Sequence, residues 1–332
     1  MKNQNILVCG AGSIGKRHIK NLKFLGEQVI VWRSRSNLIK KLEKELKVKV
    51  FLNLDEALKY SKAVVIATST DNHINIALKA LKLGKPIFIE KPISNNKKNI
   101  NNLMKLGKKN IIEVGHQLRM HPSTIILKKK LKKLSPQSIM GYRFVMGQDL
   151  RQWRKNSNYR KNYSSQSSRG GGAMYDLVHQ IDIAVWLFGS VKYVFANLAR
   201  RSKLKIRTDD FTNLILIHKN GVTGQIQLDM VSPAYRGENE IVTKDNVFYF
   251  NLVSGTLEKK KNFLSKIISK TPKKFIRNDL FISHMKHFLK RLKNNNINAV
   301  CSLFDGILSL NVLMAAKKSH IKKKLIKVEN KY

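Results

Sequence analysis

Apolar and polar positions along the chain change rhythm near residue 119. Before it, short, wholly apolar runs alternate with stretches of helical period. The run 6–9 leads into an amphipathic segment to about 25, and the strand 28–32 into a helix over 38–46. A short strand at 48–51 precedes a short helix, 54–60. The apolar run 63–67 leads to a helix reaching about 83, where Gly84 ends it. The strand 86–89 precedes a helix reaching about 106, and 111–115 is the last run of this series. Runs apolar on both faces, alternating with amphipathic helices, predict a doubly wound parallel sheet. After Arg119 the pattern predicts a helix over 121–134, a strand over 138–146 and a polar, aromatic-rich stretch over 148–169. A strongly apolar helix over 173–188 follows. Five strands are then predicted, at 191–200, 211–218, 223–228, 239–242 and 247–252, with a turn at Lys219-Asn220-Gly221 and closing helices at 281–292 and 303–319. The lysine-rich pieces 259–262 and 270–274 read as solvated loops. The expected fold class is α/β: residues 1–118 form the parallel-sheet domain. Residues 119–332 form an α+β domain with an open, mostly antiparallel sheet.

Polar residues cluster where the predicted parallel strands end, the edge at which ligands bind in such sheets. The first cluster is Gly10-Ala11-Gly12-Ser13-Ile14-Gly15. It completes G-x-G-x-x-G between a strand and a helix. Gly10 permits the tight turn, Gly12 leaves bare backbone against a pyrophosphate, and Gly15 lets helix and strand approach closely. The N–H groups of Ser13, Ile14 and Gly15 open the helix toward phosphate. This is a dinucleotide site. At the end of the second strand, where an acid would hold a ribose 2′-hydroxyl, stand Arg33, Ser34 and Arg35. A basic, hydroxyl-bearing set suits a 2′-phosphate, so NADP(H) is expected over NAD(H). Thr68, Ser69, Asn72 and His73 follow the strand 63–67, and Glu90 and Lys91 the strand 86–89. All six are candidate cofactor contacts.

Composition alters the picture in one respect. Among 332 residues, 64 Lys+Arg face 21 Asp+Glu, a formal charge of +43. Such charge raises nucleic acid as a partner. The excess is mostly lysine spread along polar helix faces, with no aromatic-interleaved basic motif, so a nucleic-acid partner is not expected. No apolar run approaches the length of a membrane span, and a strand already runs by Ile6, which leaves no room for a signal peptide. Cys9 and Cys301 sit in apolar contexts, which reads as a reducing, cytoplasmic setting without membrane attachment. No Cys/His/Asp spacing suggests a metal.

Three stretches together resemble the Gfo/Idh/MocA oxidoreductases. They are the glycine motif, Glu90-Lys91-Pro92, and Gly170-Gly171-Gly172 leading through Asp176-Leu177-Val178-His179 to Trp186-Leu187-Phe188-Gly189. The resemblance implies an N-terminal Rossmann domain and NAD(P)-dependent chemistry on sugars, sugar nucleotides or polyols, in a homodimer or homotetramer. It implies Lys91 as the lysine near the reacting carbon, His179 as the catalytic histidine, and often a cis Lys–Pro bond. Many members place an aspartate four residues before the histidine. Here Asp176 is three before it, so its catalytic role rests on both lying along one helix face. The spacing resembles a branch associated with bacterial surface-polysaccharide sugars, as does the set Trp153-Arg154, Tyr159-Arg160 and Tyr163-Ser164. That points to a nucleotide-linked or amino sugar. Trp153, Tyr159 and Tyr163 suit stacking on pyranose rings, and Arg154 and Arg160 suit phosphate or carboxylate. Arg119, beside His116 and His121, is a further candidate for the substrate cleft, with His179. In the implied reaction His179 exchanges the hydroxyl proton and Lys91 steadies charge on the same oxygen. The competing reading is a catalytically silent NADP(H)-binding regulatory protein of the same fold.

Overall fold

The computed structural model describes residues 4–153 and 158–330. Chain order begins with β1 (Asn5–Cys9), α1 (Ser13–Phe24), β2 (Val29–Trp32), α2 (Ile39–Leu46), β3 (Lys49–Phe51) and α3 (Leu54–Lys59). It continues through β4 (Ser61–Ile66), α4 (His73–Lys82), β5 (Ile87–Ile89), α5 (Ile100–Gly107) and β6 (Ile112–Val114). These strands form one parallel sheet in the order β3-β2-β1-β4-β5-β6. The order reverses between β1 and β4, which opens a crevice at their C-terminal ends. The helix expected directly after Pro92 begins only at Ile100, after a run of bends.

The next elements are α6 (Pro122–Leu131), β7 (Ile139–Gly147), α7 (Ala173–Asp176), α8 (His179–Phe188), β8 (Val191–Ala199), β9 (Phe211–His218) and β10 (Thr223–Asp229). Then come β11 (Glu238–Thr243), β12 (Val247–Asn251), β13 (Thr256–Lys261) and β14 (Leu264–Lys270). The chain closes with α9 (Arg277–Lys293), α10 (Leu303–Lys322) and β15 (Ile326–Lys327). The second sheet runs β14-β13-β12-β11-β7-β10-β9-β8-β15 and is antiparallel except for the β7–β10 pair. Two expectations are corrected here. Residues 259–261 are strand rather than loop, because pairing with β14 overrides the weak strand propensity of lysine. The apolar helix over 173–188 is two pieces, since at Leu177 and Val178 the ladder yields to a three-residue turn in which Gln180 N donates to Leu177 O.

The chain divides into two compact units. The first contains residues 4–117 and also 276–306, a segment expected within the 119–332 domain. The second contains the other described residues. The reason for the difference is α9. Its apolar stripe, Met285, Phe288 and Leu289, joins Ile6, Val8, Ile19, Leu22, Val31 and Phe88 in the core on one face of the parallel sheet. Its polar side carries a second tie. Glu113, in the middle of β6 and fully buried, accepts from His284 Nε2 at 3.0 Å, Arg291 Nη1 at 2.8 Å and the N–H of Val300 at 2.8 Å and of Cys301 at 3.2 Å. In the second unit, an aromatic group holds α8 to the sheet: Tyr142 stacks on Phe188 with centroids 4.6 Å apart, and Phe144 meets Phe250 edge-on at 5.4 Å. Tyr142 Oη donates to His218 Nε2 at 2.9 Å while His218 Nδ1 meets Gly189 O at 2.8 Å. Burial pulls His218 down to about 4, so the ring is neutral near pH 7 with its proton on Nδ1. No helix among the described residues is long and apolar enough to cross a membrane.

Candidate functional site

In the first unit the site is built from strand ends. Gly10 leaves β1 at φ +102°, and a Cβ there would lie 2.7 Å from Ala67 O. A Cβ at Gly15 would lie 2.0 Å from Gly10 O. Both glycines are therefore demanded by the protein's own packing of α1 against β1 and β4. A Cβ at Gly12 would meet no protein atom within 4 Å. The fold leaves that position open, as a backbone cradle for a pyrophosphate requires. α1 has no side-chain cap and no acid in its first turn, so its leading N–H groups and positive dipole end face outward without an internal anion. The residues present fit a dinucleotide. Gly12→Ala is accordingly expected to leave the melting temperature within a degree or two while weakening dinucleotide binding about tenfold or more. Gly15→Ala is expected to destabilise the fold itself. Thermal melts and a cofactor titration separate the two.

Around this cradle, Arg33 follows β2 and donates from Nη2 to Asn37 Oδ1 at 3.0 Å. Ser34 and Arg35 are exposed, and no acid stands at this strand end. Thr68 and Ser69 are half-buried after β4, and Asn72 is exposed, reaching Ser69 Oγ at 3.3 Å. Two residues expected as cofactor contacts are buried against protein partners. His73 is buried, with Nδ1 3.0 Å from Pro92 O and Nε2 3.2 Å from Thr68 O. Burial lowers its pKa against the opposing pull of these carbonyls, so a neutral ring donates to one of them and ties the two strand-end loops together. Glu90 is buried on His18: Oε1 lies 2.7 Å from His18 Nε2, and Oε2 accepts from Lys91 N at 3.2 Å. Burial raises the Glu90 pKa, but the His18 hydrogen bond and the charges of His18, Lys91 and His73 outweigh it, so the carboxyl lies below its usual range. Glu90 thus anchors the backbone from which the half-buried Lys91 projects. The Lys91–Pro92 bond is cis. His18 was not among the expected site residues. Its signal was position: three residues after Gly15, on the buried face of α1.

In the second unit, the glycine triplet leads into α7. Gly172 sits at φ +121°, and a Cβ there would lie 2.2 Å from Asp209 Oδ1, so a larger residue would collide with that carboxylate. Asp209 Oδ2 accepts from Met174 N at 2.9 Å and from Thr212 Oγ1 at 2.7 Å, capping α7 from the loop that precedes β9. Burial raises the Asp209 pKa. Nothing in the sequence marked this residue as a cap 35 positions away.

Asp176 ends α7 and His179 begins α8; both are buried. Leu177 and Val178 form a turn between the two helices. Asp176 Oδ1 accepts a hydrogen bond from the Tyr163 hydroxyl. Trp153 donates from Nε1 to Gln148 O at 3.0 Å, and the Arg160 guanidinium lies 5.8 Å over the Tyr159 ring. Arg154 lies outside the described residues. Arg119 has a partner within its own unit. It is buried and forms a bidentate pair with Asp182, Nε to Oδ2 at 3.0 Å and Nη2 to Oδ1 at 2.8 Å. His121 caps α6, accepting from Ser123 N at 3.2 Å, and burial holds it at about 4.

Residues 4–116 match the oxidoreductase family with NAD-binding Rossmann fold, Gfo/Idh/MocA, and residues 139–248 match the Gfo/Idh/MocA C-terminal domain. The chain is similar to myo-inositol 2-dehydrogenase of Thermotoga maritima, 26% identical across 97% of this chain and 98% of that protein. Its fold is that of levoglucosan dehydrogenase in complex with NADH and levoglucosan, with a TM-score of 0.86, 20% identity, and 99% of this chain and 100% of the other covered. UDP-N-acetylglucosamine 3-dehydrogenase of Acidithiobacillus ferrooxidans gives a TM-score of 0.77 at 17% identity over 97% and 98% of the two chains.

Proposed function

This chain belongs to the Gfo/Idh/MocA oxidoreductase family, and from that premise we propose that it oxidises or reduces a CH–OH carbon of a nucleotide-linked or amino sugar, using NADP(H) in preference to NAD(H). The observation that carries the reading is the strand-end assembly: a glycine cradle open only where phosphate must approach, beside a lysine whose backbone is anchored by a buried carboxylate. Bound nicotinamide supplies the hydride chemistry. The N–H groups at the start of α1 hold the pyrophosphate, and Thr68, Ser69 and Asn72 line the neighbouring strand end. His179 takes the carbinol proton in oxidation and returns it in reduction. Lys91 donates a hydrogen bond to the same oxygen and steadies its developing charge. Asp176 acts through Tyr163, fixing the loop whose Trp153, Tyr159 and Arg160 contact the sugar. Arg154 belongs to the same sequence set. The working form is a cytoplasmic homodimer or homotetramer.

The uridine-linked sugar of one structural neighbour and the Trp-Arg, Tyr-Arg, Tyr-Ser stretch support a nucleotide-linked substrate. A turnover screen of UDP-sugars, amino sugars, inositols and anhydrosugars tests it; turnover of only unsubstituted polyols would reject the nucleotide-linked assignment. For the cofactor, Arg33, Ser34 and Arg35 are expected to bind NADPH more tightly than NADH. A charge-assisted arginine–phosphate contact contributes about 1.5–3 kcal/mol, so Arg33→Asp should shift the affinity ratio roughly tenfold or more toward NADH. Equal wild-type affinities that do not move in Arg33→Asp would remove the 2′-phosphate assignment.

A further inference from the structure

Part of the charge excess is concentrated where the second sheet ends. Residues 256–270 contain five lysines and a single acid, Glu258. They form the β13–β14 hairpin, and β14 is an edge strand of the sheet. At the tip, Asn262 turns the chain at φ +50°, and Phe263 beside it is fully exposed at 106%, with Leu264 at 79% and Ile267 at 59%. The register places Lys261 opposite Leu264, Lys260 opposite Ser265 and Lys259 opposite Lys266, so the apolar tip is ringed by ammonium groups. Lys260 rests over the Tyr249 ring at 4.6 Å. A protein interior or a catalytic role explains none of this. Bare aromatic and aliphatic groups ringed by lysine match a surface that is apolar beneath and anionic above.

We propose that the β13–β14 hairpin docks this protein peripherally onto an anionic lipid surface, Phe263 and Leu264 entering the interface and the surrounding lysines meeting lipid phosphate and carboxylate groups. Charge complementarity selects this occupant. A second copy meeting this one tip to tip would bring lysine against lysine. Nucleic acid would use the lysines but gains nothing from Leu264 and Ile267, whose aliphatic side chains have no aromatic face on which bases stack.

The test is flotation of the purified full chain with phosphatidylcholine vesicles, with and without about a third phosphatidylserine. Binding to the anionic vesicles alone, lost as salt is raised, is expected. Phe263→Ser/Leu264→Ser leaves charge unchanged and touches no core residue; it should weaken vesicle binding about tenfold or more. Lys260→Glu/Lys261→Glu should weaken it more than Lys108→Glu/Lys109→Glu, an exposed pair in the first unit. Four results would overturn the proposal: no binding to anionic vesicles, unchanged binding by the serine pair, equal losses from the two lysine pairs, or a tip whose serine variant loses self-association or DNA binding while vesicle binding stays intact.

Discussion

Replacement of His179 by alanine, or of Lys91 by methionine, is expected to lower kcat by about 10²–10⁴-fold once a substrate is identified. The argument has two parts. Both side chains stand on positions the fold fixes closely: Lys91 follows β5, with its own N–H held by the buried Glu90, and His179 opens α8 among buried neighbours. On the proposed assignment neither is needed for phosphate binding, which would rest on Gly10 to Gly15 and the Arg33 region. NADPH affinity should therefore change little in either variant, so that the loss falls on kcat. If both groups act on one oxygen, the double variant should lose less than the product of the single losses. Asp176→Asn should be milder than His179→Ala and should share its effect with Tyr163→Phe, because the two form one hydrogen bond. A His179→Ala enzyme with near-normal kcat would make His179 a structural residue. Tyr163 and Asp176 would then be the next proton carriers to examine.

The parts of this site that were readable in the sequence are those whose chemistry fits into consecutive residues. The glycine motif needs only a strand before it and a helix after it, and the structure packs Gly10 and Gly15 tightly while leaving Gly12 open. Glu90-Lys91-Pro92 likewise carries its meaning in three residues. What stayed hidden depends on partners far along the chain. Arg119 lies beside His116 and His121 after the last parallel strand, which marks it for a cleft; its partner Asp182 is 63 residues on. An amphipathic helix such as α9 declares an apolar stripe but not which sheet will cover it. The break between α7 and α8 occurs at Leu177 and Val178, without the glycine or proline that would mark it. The β13–β14 hairpin was disguised by lysines, whose strand propensity is low and whose strand state comes from pairing. One signal was available and unused. With only 21 acids in the chain, a carboxylate inside the apolar run Ile111-Ile112-Glu113-Val114 had to be buried against bases.

That carboxylate carries the second large expectation. Glu113→Ala is expected to destabilise the protein by about 3–5 kcal/mol, the usual cost of breaking a buried pair and stranding its partner. The loss would leave Arg291 and the N–H groups of Val300 and Cys301 without a carboxylate they now share, and His284 without its 3.0 Å contact. For a unit of this size the melting temperature should fall by roughly ten degrees. Glu113→Gln should fall less, since an amide oxygen still accepts from the backbone. Acid gives an independent measure. Burial raises the Glu113 pKa, but the hydrogen bond from His284, the His287 ring 3.8 Å away and the backbone N–H groups more than reverse this, holding it at about 2. Its folded pKa lies below the unfolded value, so the stabilisation is complete above the ordinary glutamate range near 4.3 and is lost as pH falls toward 2. Wild type should therefore lose stability across that window, and Glu113→Gln should lose less there. The effect reaches the candidate site through α9: Phe281 packs edge-on to His18 at 6.1 Å and Phe288 to Phe88 at 5.7 Å, and His18 holds Glu90. Below full unfolding, Glu113→Gln should thus impair kcat more than cofactor affinity, because the strand end carrying Lys91 loosens while the glycine cradle stays packed. Two variants with wild-type melts and acid profiles would mean that the apolar stripe of α9 alone fixes the helix.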